Sequence, residues 1–159
     1  MLARIGMIGM VLLLVLIGLV MYVCNDRREE HYSRLAAGGD AMARGWLPRW
    51  IASDATDIRV LYDLDTNETW GVFKFGEAGS HEVADACKEV LETSVPFPRS
   101  RPAKWWPAEL VNTSETSAGY RIMKCQERSV DKPGQWETSD AFAAVKSSAN
   151  AAYFWRVSG

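Results

Sequence analysis

The residues of this 159-residue chain that could do chemistry are few and scattered. Trp105 and Trp106 stand together, directly after a proline-rich stretch that carries Arg99, Arg101 and Lys104. Trp and Arg dominate binding hot spots, and proline pre-orders the backbone that presents them. The segment therefore reads as a partner-binding surface built from Arg99, Arg101, Lys104, Trp105 and Trp106. The same tryptophans have a structural use, since the large ring seals the core of a small domain and covers a sheet. A third use concerns Trp46 and Trp50, which flank Pro48 close enough to an N-terminal anchor to sit at a lipid interface.

Two of the three cysteines, Cys87 and Cys125, lie well inside the chain. A bond between them would close a loop of about 38 residues and contribute roughly 3–4 kcal/mol through chain entropy. It would also require an oxidising compartment. The alternative is two buried free thiols packed as small hydrophobes. Neither cysteine has a C-x-x-C partner, so redox-motif chemistry and a zinc site both fit poorly.

Asp63-Leu64-Asp65-Thr66-Asn67 offers oxygen ligands at alternate positions, but Glu68 and Lys74 occupy the places where a calcium loop needs glycine and glutamate. Turn chemistry accounts for the segment better than a metal does. His81 is six positions from Cys87, on the opposite side of a helix, His31 sits in the stalk, and no G-x-S-x-G or other nucleophile elbow is present. Catalytic residues, metals and cofactors are accordingly assigned as none. Asn67-Glu68-Thr69 and Asn112-Thr113-Ser114 match the N-glycosylation pattern, which matters only in a eukaryotic source.

These residues must be positioned by one small domain, because the N-terminus is not domain material. Seventeen of the twenty positions from Ile5 to Cys24 are apolar, the other three are glycine, and none is charged. As a helix this run is about 30 Å long, and its twelve Leu, Ile and Val residues sum to about −4 to −7 kcal/mol for insertion. Residues 1–24 therefore read as a single-pass transmembrane anchor. A cleaved signal peptide is the competitor, although no A-x-A-like site follows. Cys24 raises lipid attachment as an alternative, with Tyr22 and Val23 where small residues normally precede such a cysteine. Arg4 favours a cytoplasmic N-terminus, against Arg27, Arg28 and Arg34 beyond the run, and the reading places the domain in the periplasm.

Past Cys24 the chain carries all 20 acidic residues and all but one of the 18 basic ones. That balance excludes a basic nucleic-acid binder and a disordered polyelectrolyte, and the length excludes a multidomain enzyme. Residues 25–45 read as a charged helical stalk broken at Gly38-Gly39. Residues 46–159 read as an α+β domain. Alternation predicts strands at 58–64 and 69–75 around an Asp-Thr-Asn-Glu turn, forming a hairpin. Val83, Ala84, Cys87, Val90 and Leu91 recur at helical spacing and predict the main helix, from His81 to Thr93 with Ser80 as N-cap. Pro107 can open a helical turn, and three further strands are predicted at 120–127, 141–147 and 151–157. Lys132-Pro133-Gly134 and 147–150 supply turns. The order implies a small antiparallel sheet of about five strands with one main helix on one face.

The stretch GWLPRWIASDATDIRVLYDLDTNETWGVFKF, with KWWPAEL and the closing AAYFWRV, resembles a group of small bacterial envelope proteins bearing an N-terminal anchor or lipoprotein signal. The resemblance implies an envelope location and carries no activity, cofactor or site residue. Together these readings describe a membrane-anchored, non-enzymatic binding or accessory module of the bacterial envelope. Its partners are the membrane and a protein, with no nucleic acid and no small-molecule cofactor. An immunity-type inhibitor of a toxin at the membrane is the second reading, and a cell-wall hydrolase the third.

Overall fold

The computed structural model describes residues 10, 13–15, 27–99, 101–111, 119–129 and 135–156. Seven strands form one antiparallel sheet: β1 (Arg27–Arg34), β2 (Thr56–Asp63), β3 (Glu68–Lys74), β4 (Cys87–Glu89), β5 (Arg121–Arg128), β6 (Trp136–Lys146) and β7 (Ala151–Arg156). Their order across the sheet is β1-β2-β3-β7-β6-β5-β4. Beside the sheet lie the short helices α1 (Gly39–Ala43) and α2 (Glu77–Ala86), with single 3-10 turns elsewhere. The expectation of about five strands under one main helix is corrected to this larger sheet with short helices.

Both faces of the sheet are buried, and loops supply most of the cover. On the first face Ile58, Val60, Phe73, Cys125, Ala143 and Phe154 meet Leu47, Trp50 and Ile51 from the segment after α1, with Val83 and Ala86 of α2. On the second face Leu61, Trp70, Ile122, Phe142, Ala144 and Trp155 meet Val95, Trp106 and Leu110 from the proline-rich segment. Burial on both faces explains the unbroken apolar run in β6, where Ala141 through Val145 are all buried. The small alanines, which also suit a helix, leave room there for the rings on either side.

The segment expected as a helical stalk is strand β1, antiparallel to β2 in an unbroken register from Arg27↔Asp63 to Arg34↔Thr56. Ladder bonds to β2 and packing of the Tyr32 ring against the core outweigh the helical propensity of a charged segment free of Gly and Pro. The main helix is also shorter than expected. It starts at Glu77 and stops at Ala86, because Cys87 turns to extended backbone and pairs with Cys125 on β5. Ser80 does not cap it. Asp54 reaches in from the loop before β2 instead, its Oδ2 accepting from the Gly76 and Gly79 N–H groups at 3.0 and 3.2 Å. A carboxylate at that end also opposes the positive pole of the helix.

Among the described residues no helix is long and apolar enough to cross a membrane. The single-pass signal anchor, and the inner-membrane location with a periplasmic domain that depended on it, are corrected on that finding. All of 1–24 except Met10, Leu13, Leu14 and Val15 lies outside the described residues, as do Cys24, the Asn112-Thr113-Ser114 tripeptide and the turn at 132–134.

Candidate functional site

The proline-rich segment crosses the second face and ends against the edge strand. Trp106 is its nail: the ring is fully buried, edge-on to Tyr153 and Trp155 at 5.8 and 5.9 Å, with its Nε1 donating to the Leu110 carbonyl. Trp155 Nε1 in turn donates to the Pro96 carbonyl at 3.0 Å. A ring without exposed surface offers nothing to a partner, so Trp106 is corrected from contact residue to core residue.

Held from below in this way, residues 101–105 form one wall of a groove of about 560 Å³. Arg27 and Glu29 of β1 form the other wall, over a floor at Leu61. Arg101 is fixed by backbone carbonyls, its Nε donating to Trp106 O at 2.6 Å and its Nη2 to Lys104 O. Trp105, half-buried, donates its Nε1 to Glu29 Oε1 at 2.6 Å and so ties the two walls together. Arg27 Nε lies 2.9 Å from Asp63 Oδ2. Burial pushes the Asp63 carboxyl up, but Arg27 and the N–H groups of Thr66 and Asp65 more than offset it and hold it below its ordinary value. The groove thus presents three cations, one indole and one carboxylate already engaged by that indole. Such a lining suits recognition of an anionic, extended or flat surface.

Of the residues expected to bind a partner, Arg101, Lys104 and Trp105 come together here. Arg99 is exposed and does not line the groove, and Trp106 lies beneath it. Arg27 and Glu29 were missed because β1 was read as a stalk. Their only signal was weak alternation in RREEHYSR, where the strand's exposure conceals any apolar face.

A second cluster sits on the opposite face of the same edge. Glu30 accepts from the hydroxyls of both Tyr32 and Tyr62, the latter at 3.0 Å. Burial, then the bond to Glu30, pushes the Tyr62 phenol up to about 12 and Tyr32 higher still. Trp46 stacks on Tyr62 with ring centroids 3.9 Å apart, and Arg44 lies 3.7 Å from the Trp46 ring centre. Trp50 is fully buried between Phe73 and Phe154. Of the two tryptophans expected at a lipid interface, Trp50 is core and has no surface to offer, while Trp46 is half-buried between Tyr62 and Arg44.

Cys87 and Cys125 are joined by a disulfide. Among the described residues no group of three or more His, Cys, Asp or Glu side chains could hold a metal ion. His31 lies 3.0 Å from Asp57, a carboxylate that also meets Lys74 and Arg59, while His81 is exposed on α2.

No curated protein and no solved structure matches the chain. Residues 26–74 match the family model of the YbbD head domain. That span is less than a third of the chain, and it runs from β1 through β3, so it contains Arg27, Glu29 and Leu61 of the groove.

Proposed function

We propose that the chain is a non-enzymatic accessory module of the cell envelope that holds a protein partner in the groove between residues 101–105 and β1. The observation that carries this reading is the groove itself, which Arg27, Arg101 and Lys104 line together with Trp105. Pre-ordering strengthens it: Arg101 and Trp105 are held by bonds that need no partner, so little side-chain freedom is lost on binding. The disulfide supports an oxidising compartment, as an envelope protein would experience. The match to the YbbD head domain is consistent with a module that serves a larger assembly. Binding is favoured over catalysis because the carboxylates beside the groove, Glu29 and Asp63, are both engaged by internal donors.

Affinity capture from an envelope fraction tests the reading. Lys104→Glu places an anion in the groove without touching a core contact, and Lys88→Glu does the same on β4 at the far edge of the sheet. The intact chain and Lys88→Glu should retain one protein that Lys104→Glu loses. Equal capture by all three would remove the groove as the contact surface.

A further inference from the structure

We propose that the free edge of β1 takes up an extended acidic segment of the partner as an eighth strand, whose side chains on one face enter the groove. The inference rests on the groove being the partner site and adds how the partner is held. Among the described residues nothing pairs with the outer edge of β1, which is eight residues long. Its hydrogen-bonding phase is legible. The Leu35 N–H donates to the Ala55 carbonyl, so the flanking Arg34↔Thr56 pair is a non-hydrogen-bonded one, and the register runs unbroken from there. Alternation then turns the N–H and C=O groups of Arg28, Glu30, Tyr32 and Arg34 outward, a row spaced for an added strand.

The charges around that row identify the occupant. Each carboxylate of the edge is engaged internally: Glu29 by Trp105, Glu30 by the two tyrosines and Asp63 by Arg27. Arg28 and Arg34 on β1, and Arg101 and Lys104 at the groove, make no ion pair among the described residues. Side chains of an added strand alternate between the faces of the sheet. Acidic ones would meet Lys104 and Arg101 on the second face and Arg28 and Arg34 on the first. A basic segment would be repelled from both faces, so one edge supplies both backbone affinity and charge selection.

The test measures fluorescence anisotropy of a short labelled peptide of alternating valine and glutamate with the full chain, against a valine–lysine peptide. The acidic peptide should bind and the basic one should not. Methylating alternate peptide nitrogens should weaken binding on the order of tenfold in one phase and little in the other, because only one set faces β1. Arg28→Pro, which removes an outward N–H at an edge position, should weaken it similarly, while Arg28→Lys retains it. Should Arg28→Pro fail to fold, the methylated peptides on the native chain still decide. Affinity indifferent to methylation in both phases overturns edge addition, even where Lys104→Glu abolishes binding and the groove reading stands. Sensitivity to methylation with indifference to Lys104→Glu supports the edge and sinks the groove. Absence of acidic-peptide binding overturns the proposal. So does a dimer that Arg28→Pro converts to monomer, since the edge would then belong to a second copy.

Discussion

The Nε1 of Trp105 donates to Glu29 Oε1 at 2.6 Å across 76 positions of sequence, and this bond joins the two walls of the groove. Its neighbour Trp106 has a different task, buried completely against Tyr153 and Trp155. Two consecutive tryptophans therefore separate experimentally. Trp105→Phe keeps an aromatic ring and loses the donor, and the expected destabilisation is about 0.5–1.5 kcal/mol. Trp106→Ala empties a core site and should cost about 3–5 kcal/mol. Urea denaturation of both variants measures the difference. Similar losses at the two positions would mean that the groove wall is as much core as the residue beneath it.

How much of this was legible in the sequence depends on the face a residue occupies. The hairpin of β2 and β3 showed itself because Ile58, Val60 and Tyr62 share one face with Arg59 and Asp63 on the other, and Asp63 to Glu68 carries turn-forming side chains. Strand β6 was readable through its apolar run, although its alanines equally suited a helix. Strand β1 was not readable, because an edge strand exposed along most of its length has no apolar stripe to give its period away. The end of α2 was hidden for another reason: Val90 and Leu91 continue the helical spacing, and only the long-range pairing of Cys87 with Cys125 takes the chain out of the helix. Half of the site followed from composition at Arg101, Lys104 and Trp105. The rest waited on the sheet order that brings β1 alongside them.

The Cys87–Cys125 bond anchors the three-residue edge strand β4 to β5 and spans 38 positions. Closing a loop of that size contributes about 3–4 kcal/mol in the chain-entropy account. The double variant Cys87→Ala/Cys125→Ala should lose stability of that order in urea. Reduction of the native chain should produce a comparable shift in midpoint. The double variant itself should be indifferent to reductant. A reductant effect on that variant would show that the shift arises elsewhere.

Gly71 sits opposite Phe154 in the β3–β7 ladder, and the ring covers the space where a side chain would stand. A Cβ placed there would lie 2.1 Å from the Phe154 ring and 2.9 Å from the Arg59 carbonyl oxygen. Both neighbours are held, the ring by Trp50 and Phe73 and the carbonyl by backbone on β2. Gly71→Ala should therefore destabilise by about 1–3 kcal/mol, despite the better strand propensity of alanine. Gly39→Ala is the comparison, because nothing lies within 4 Å of a Cβ there. Thermal melts of the pair measure the contrast, and equal melting would mean that Phe154 swings aside without cost.

Stability should decline on both sides of neutrality, for opposite reasons of sign. The bond from Lys74 holds the Asp57 carboxyl below its ordinary value against the opposing effect of burial, with further help from His31. Glu82 is lowered by the hydroxyl and N–H of Ser53. Asp63 is lowered by Arg27 despite its burial. Unfolded carboxyls titrate near about 4, so the contribution of these groups is complete above that pH and is lost as the pH falls through their lower folded values. Tyr62 runs the other way. Burial and Glu30 raise its phenol to about 12, so its contribution is complete below the unfolded value of about 10 and is lost as the pH rises from there through 12. Urea midpoints across pH, followed with phenolate absorbance, check both limbs. Asp57→Asn should flatten the acid limb and leave the alkaline one unchanged, whereas Tyr62→Phe should flatten the alkaline limb. An acid limb of unchanged steepness in Asp57→Asn would remove that cluster from the linkage.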